Sequence, residues 1–394
     1  MPKAAGRVLR PQAPGDAPPR SRRSSPEQAR SVDFVSPGEG SSLDPSSNGD
    51  HVVCPGTDLL HAHSSPARLE TEFITDPHRL QQLVPAWRVL WSVLEDATPF
   101  QSPDWIVPWW EHYGEGELFA FAFWSDHQLA GLAPLYIHEG GSDPTRRILL
   151  LGTGNTDYLD LVIRPQFRPQ CWKALISEVS QRTALWDECN LQRIRPGSPL
   201  LQNLNFASGL VETSTEQEPC VAIDLCHGNP AAGMLRTSSV YARKLNSKES
   251  FSVEEATPDS FEEFLSALVQ LHERRWHAKG FSGVLAEERD RRFHHEVAWR
   301  FLHAGTLMLY ALRIRERIVS VIYGFTHRDR TYSYLSGFDP EYRRQSVGTI
   351  MIGHAVQQSL DEHRCFDFLR GHEPYKYRWG AHDEPVFGRT LRKM

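Results

Sequence analysis

Cysteine is scarce in this chain of 394 residues. There are six (Cys54, Cys171, Cys189, Cys220, Cys226 and Cys365), with no C-x-x-C pair among them. Scattered thiols exclude a disulfide framework or a thiolate zinc site as the organising device, and reduced thiols fit a cytosolic protein. Long apolar runs are also missing, and no stretch approaches the ~18 residues of a membrane span. The N-terminus has no short apolar core of a secretion signal, so the expected location is the cytoplasm. Positive charge is not in surplus: 43 Lys and Arg stand against 49 Asp and Glu, a formal net charge of −6. The whole chain therefore has no attraction for nucleic acid or an anionic membrane, and any anion site must be local. His272, His277, His294, His295 and His303 form no H-x-x-x-H pair, and no metal is expected. Gly152-Thr-Gly154 lacks the third glycine and the helix of a dinucleotide fingerprint.

Hydrophobic periodicity is absent from residues 1–66, which are dominated by Pro, Ser, Gly, Arg and Asp. Such a segment cannot bury enough apolar surface to offset its ordering entropy, so a disordered tail is expected there. Beyond it the fold class reads as α/β (α+β), in two lobes of mixed sheet flanked by helices. The expected lobes are 67–225 and 226–394.

Helices are expected at 77–95, capped by Asp76, and at 104–113, stopped by Gly114 with Pro108 inside. A hairpin, 117–124 with 129–137 around a polar turn, should follow. Then come a strand at 147–151, the Gly152–Asp157 loop, a strand at 158–163, a helix at 172–179 and a strand near 191–194. Residues 220–225 read as a strand and 238–248 as a basic helical connector. The order then returns, with amphipathic helices at 261–279 and 289–303 and strands at 306–314 and 318–325. Both halves read helix, helix, hairpin, third strand, loop, helix, strand, an internal repeat with little sequence identity.

The stretch Arg330 to Gly380 carries the chemistry. Thr331 to Phe338 alternates with period two as a half-buried strand. After the polar loop 341–346, Ile352, Ala355, Val356 and Leu360 mark one face of a helix that begins near Val347, and Cys365 to Leu369 is a short apolar strand. This is a βαβ unit. A helix N-terminus offers unpaired N–H groups and a positive dipole end to an anion. Arg343, Arg344, Gln345, Ser346, Val347, Gly348 and Thr349 place two cations, a hydroxyl and a Cβ-free residue at that mouth, the pattern of a pyrophosphate cradle. The first half offers no glycine where its own helix begins, near Pro165–Pro169.

A Gly-containing loop that follows a strand and opens a helix resembles the acyl-coenzyme A loop of GNAT-type N-acetyltransferases, Arg/Gln-x-x-Gly-x-Gly/Ala. Gln345-Ser-Val-Gly-Thr-Ile350 matches through Gly348 and departs at Ile350. Three further stretches, Thr98–Trp105, Leu151–Asp160 and Asp367–Trp379, look like the CelD/BcsL branch, linked to cellulose and exopolysaccharide synthesis, on the double-GNAT fold of FemAB-type transferases. The likeness runs from about Leu69 to the C-terminus.

The resemblance implies an acyltransferase using acetyl-coenzyme A or a longer acyl-coenzyme A, with the first lobe shaping the acceptor side of a cleft. A splayed strand would offer a backbone N–H to the thioester carbonyl, and Gly337 is the point where that backbone is open to approach. Glu373 and Tyr375 are the candidate acid and base groups, beside Asp367 and Tyr377. Trp105, Asp157, Tyr158, Asp160 and Lys376 are candidates for holding the acceptor. The expected acceptor is a small molecule, an amine or hydroxyl of a sugar, nucleotide-sugar or amino-acid-like compound. Two rivals share the fold: an aminoacyl-tRNA-dependent transferase of the FemAB kind, against which the net charge speaks, and a non-catalytic scaffold of a polysaccharide-synthesis system, kept open by Ile350.

Overall fold

A computed structural model of the chain describes residues 68–140, 143–202, 210–225, 227–278 and 280–393. The expected tail, Cys54 and Cys226 lie outside these residues.

Strand β1 (Glu70–Ile74) opens the fold and has no counterpart in the sequence reading. The helix expected at 77–95 is two helices, α1 (Pro77–Gln82) and α2 (Val84–Val93). Asp76 caps the first, its carboxylate accepting the His78 N–H at 2.9 Å. Pro85 then stands in the first turn of the second, where its missing N–H costs nothing, so the chain restarts at Leu83. Helix α3 (Pro103–Tyr113) starts at Ser102, whose hydroxyl accepts the Trp105 N–H, and ends at Gly114.

The expected hairpin is four strands: β2 (Glu117–Leu118), β3 (Ala120–Ser125), β4 (Gln128–Ala133) and β5 (Leu135–Gly140). Its turn residues Asp126 and His127 both have φ above zero, +48° and +62°, as a two-residue hairpin requires. Pro134 has no N–H for the ladder, and there the ribbon passes from one sheet to another. Strands β6 (Asp143–Leu150) and β7 (Val162–Ile163), helix α4 (Arg168–Gln181) and strand β8 (Glu188–Ile194) complete this lobe. The strand expected at 158–163 survives only as β7.

Strand β9 (Leu210–Ile223) leads to α5 (Ala232–Asn246), β10 (Phe251–Glu255), α6 (Phe261–His277) and α7 (Glu288–His303). Then come β11 (Leu307–Ile314), β12 (Arg317–His327), β13 (Arg330–Phe338), α8 (Val347–Asp361), β14 (Cys365–Arg370), α9 (Pro374–Tyr377) and β15 (His382–Lys393).

Strands β1-β3-β4-β7 form a small sheet, and the other eleven run β10-β11-β12-β13-β14-β9-β15-β8-β6-β5-β2. The middle of that order is an exchange. Strand β9, from the end of the 67–225 stretch, pairs with β14 of the 226–394 stretch, while the C-terminal β15 pairs with both β9 and β8. Helices α2 and α3 share one apolar core with α6, α7 and the β12–β13 face, where Trp105 meets Phe293, Phe325 and Tyr334 edge-on at 5.1–5.6 Å. A second core lies under α4 and a third under α5 and α8.

Candidate active site

Strands β13 and β14 run parallel for only three residue pairs, Arg330–Cys365, Thr331–Phe366 and Tyr332–Asp367. Beyond these pairs they part. Strand β13 stays on β12 with a register shift that leaves Tyr334 as the extra residue, and β14 turns through Leu369, at φ +59°, toward Cys220 of β9. The result is a wedge in an otherwise continuous sheet, with unladdered backbone along Ser333–Phe338 on one side.

Helix α8 starts beside this wedge. Ser346 takes a left-handed turn (φ 58°, ψ 34°) out of the short 3-10 helix Pro340–Gln345, and no side chain caps α8 nor does any acid stand in its first turn. The Thr349 and Ile350 N–H groups bond back to the Ser346 carbonyl at 2.9 and 3.1 Å. Those of Val347 and Gly348 have no partner within the helix, as geometry dictates for a first turn. Arg343 and Arg344 are exposed beside them, in no ion pair among the described residues. The Gln345 Oε1 is buried with no donor among the described residues.

The seven loop residues thus meet at one place, with the N–H groups, cations and orphaned amide oxygen that a diphosphate linked to amide groups could satisfy. Packing does not require a glycine at 348: a Cβ there would sit 3.4 Å from the Phe338 ring, an ordinary contact. Ile350, where the sequence departs from the loop pattern, is 4% exposed in the core under α8 and does not enter the mouth.

The rim has contributors the sequence reading missed. Arg275, near the end of α6, lies over the Phe338 ring at 5.4 Å, with its Nη1 3.3 Å from the Ser336 hydroxyl and 3.4 Å from its carbonyl. One turn earlier His272 accepts the Trp276 indole N–H at 2.8 Å. Opposite stands Tyr375, half-buried and edge-on to Phe368 at 6.0 Å. Burial above all, and then Glu373, pushes its phenol well up, while Arg275 pulls it back, so it keeps its proton at neutral pH. Glu373 is exposed and pairs with Lys376 at 3.0 Å.

Two expectations change here. Lys376 is 3% exposed, and its ammonium donates to the carbonyls of Leu369, Arg370 and Gly371 at 3.2, 2.6 and 3.1 Å. With its donors used, it braces the loop after β14 rather than reaching for an acceptor. Gly337 is needed by α6: a Cβ would fall 2.8 Å from the His272 backbone nitrogen. The face of β13 that it opens is filled by a helix, not left for a thioester.

The first-lobe candidates sit in a buried junction. Trp105 is fully buried and its indole N–H bonds to the Thr156 hydroxyl at 2.9 Å, so it offers no stacking surface to a sugar. Tyr158, 1% exposed, donates to Asp367 Oδ2 at 2.8 Å. Asp367 also receives Arg330 at 3.1 Å, and Arg330 reaches Glu384 of β15 at 2.7 Å. Burial raises the Asp367 carboxyl, against the pull of Arg330. Asp157 pairs with Arg370 of β14 and lies 3.8 Å from Arg193 of β8. Asp160 accepts the Ser198 hydroxyl and the Leu161 N–H, each at 2.7 Å; packing pushes its carboxyl up to about 6. Asp157 and Tyr158 therefore tie the first lobe to β14. Arg193, Arg330, Arg370 and Glu384 had no signal in sequence, because their side chains find partners 25 to 226 positions away.

Comparison with known proteins follows this geometry. Residues 235–377 match the model of an acetyltransferase (GNAT) domain. The matched stretch contains the wedge, α6, α8 and α9. The structure of FemX aligns over 82% of this chain and 97% of its own, at 11% identity and a TM-score of 0.59. A conserved protein of unknown function from Bacteroides thetaiotaomicron VPI-5482 aligns over 82% and 100%, at 10% identity and a TM-score of 0.51. A tandem GNAT protein from the clavulanic acid biosynthesis pathway aligns over 82% and 98%, at 14% identity and a TM-score of 0.42. No curated protein matches the sequence.

The architecture is thus GNAT-like, a mixed α/β fold of sheets flanked by helices. Among the described residues, no cluster of three His, Cys, Asp or Glu side chains is placed to hold a metal ion, and no helix is long and apolar enough to cross a membrane.

Proposed function

We propose that the protein transfers an acetyl or longer acyl group from acyl-coenzyme A to an amine or hydroxyl of a small acceptor. The class is a sugar, nucleotide-sugar or amino-acid-like compound, in keeping with the cellulose and exopolysaccharide link that the motif resemblance implies. The observation that carries this reading is the coincidence of a β13/β14 wedge with an uncapped, acid-free helix start on its edge. Bound there, acyl-coenzyme A supplies a thioester-activated acyl group.

The residues divide the remaining work. Val347 and Gly348 offer N–H groups to the diphosphate, with Arg343 and Arg344 as counter-charges. The backbone of Ser333–Phe338 is the side from which an N–H can reach the thioester carbonyl. Tyr375, protonated and unpartnered at its hydroxyl among the described residues, gives its proton to the departing thiolate in this reading. The second lobe, 226–394, takes the acyl donor in this reading, and the first, 67–225, fixes the acceptor side through Asp157 and Tyr158.

Calorimetry with coenzyme A tests the proposal. Binding that is lost in Gly348→Trp, where an indole displaces Phe338 and fills the mouth, supports it. Retention of tRNA without coenzyme A binding moves the reading to an aminoacyl transferase, and silence in both assays leaves a scaffold. A thiol-release screen against amino sugars and amino acids then identifies the acceptor.

A further inference from the structure

Arg275 is a half-buried cation at the rim of the wedge with no carboxylate to answer it among the described residues. Its neighbours are answered. Arg274 lies 3.6 Å from Asp339, whose carboxylate also takes Arg317, and Lys376 takes Glu373. Arg275 is left with two contacts to Ser336 at 3.3–3.4 Å, near the outer limit of a hydrogen bond, and with the Phe338 face. A guanidinium has five N–H donors in a fixed fork that matches carboxylate and phosphate oxygens, so most of its recognition capacity is unused here.

Its position decides which substrate it meets. Gly337 points at α6, and the next residue, Phe338, points at Gly348 of α8, because successive strand residues face opposite sides of a sheet. Arg275 rises from α6 and brings its guanidinium to the edge of β13, over the Phe338 ring and beside Ser336, whereas the helix start and its two arginines belong to the α8 side. Its Nη1 stands 3.3 Å from the Ser336 hydroxyl, on the stretch of β13 that has no ladder to β14, so it faces the place where the acyl group would change hands.

We propose that Arg275 selects an acceptor bearing an oxyanion, a carboxylate or phosphate, close to the nucleophilic amine or hydroxyl. This rests on the acyl-transfer reading above. The guanidinium holds the oxyanion in a two-point, charge-assisted contact while its aromatic platform fixes the fork. It acts as a specificity residue and moves no proton.

The test is calorimetric, with coenzyme A-saturated protein titrated with paired probes: alanine against alaninamide, and glucosamine against glucosamine 6-phosphate. At least one anionic probe should bind tenfold or more tightly than its neutral counterpart. Arg275→Gln should erase that difference and Arg275→Lys should keep part of it, with coenzyme A affinity and melting temperature unchanged in both. The alanine pair reports a carboxylate and the glucosamine pair a phosphate.

Absence of any anionic preference, its survival in Arg275→Gln, or a loss that falls on coenzyme A instead overturns the proposal. If coenzyme A does not bind the wild-type protein, the acyl-transfer reading fails on its own. The same probe contrast on the unloaded protein then decides whether Arg275 recognises an anion.

Discussion

Tyr375 and Lys376 are adjacent in sequence and opposite in role, which shows how little a residue's type says before its neighbours are known. The Tyr375 phenol is raised by burial and its ring meets Phe368 of β14 edge-on; it is the proton donor of the proposed reaction, so Tyr375→Phe is expected to lower kcat about tenfold or more with little change in KM for acyl-coenzyme A. Steady-state kinetics check this, and an unchanged kcat removes the residue from the site. Lys376→Met should act through stability. It leaves three carbonyls without a buried ammonium donor, a loss of about 2–3 kcal/mol by denaturant unfolding, with acceptor KM unchanged in whatever folds. Among first-lobe residues Tyr158 has the same bracing character. Nothing local in Gly152–Asp160 showed that its hydroxyl would meet a carboxylate 209 positions later.

At the scale of elements, two glycines near the wedge separate a backbone constraint from a convenience. Gly337→Ala would push a methyl within 2.9 Å of α6 backbone atoms, which cannot yield as a flexible side chain can. A loss of about 1–3 kcal/mol is expected. Gly348→Ala meets only the Phe338 ring at 3.4 Å and replaces a glycine in a helix, so it should be neutral or stabilising by up to about 1 kcal/mol. Equal denaturant midpoints for the two variants would contradict this packing account.

The amphipathic helices α6 and α7 stand almost where their periodicity placed them, because one apolar face against a sheet leaves a repeat in sequence. Strands β1, β10 and β15 did not show. Strand β15, His-Asp-Glu-Pro-Val-Phe-Gly-Arg-Thr-Leu-Arg-Lys, mixes charges, a proline and a glycine. It is ordered by ladders on both sides rather than by an apolar pattern of its own.

For the molecule as a whole, two buried imidazoles set a pH response. Burial is the largest cause in both: it holds His272 down to about 4 and His294 to about 3, against a usual value near 6.5. Between these limits the unfolded chain binds more protons than the folded one. The stability these two histidines contribute is therefore complete above about pH 6.5 and is lost as pH falls toward 4. By pH 5 each histidine accounts for about 2 kcal/mol. Denaturant midpoints from pH 7.5 to 5 should show the decline, and His294→Phe, among the rings of Phe293, Tyr323 and Tyr334, should flatten it. An equally steep decline in the variant would assign the response elsewhere.

By itself the sequence determined the α/β class, the order of most helices and many strands, and the loop where a helix start meets cations. Each of these is written in near neighbours: a period, a cap, a glycine beside arginines. Only the tertiary structure decided that the lobes exchange strands through β9 and β15, that Trp105 and Lys376 are buried supports, and that Arg275 stands over the wedge. Those outcomes depend on pairings between distant positions. A charged or aromatic side chain becomes brace or site according to which partners folding brings within hydrogen-bond reach, and no local pattern records that.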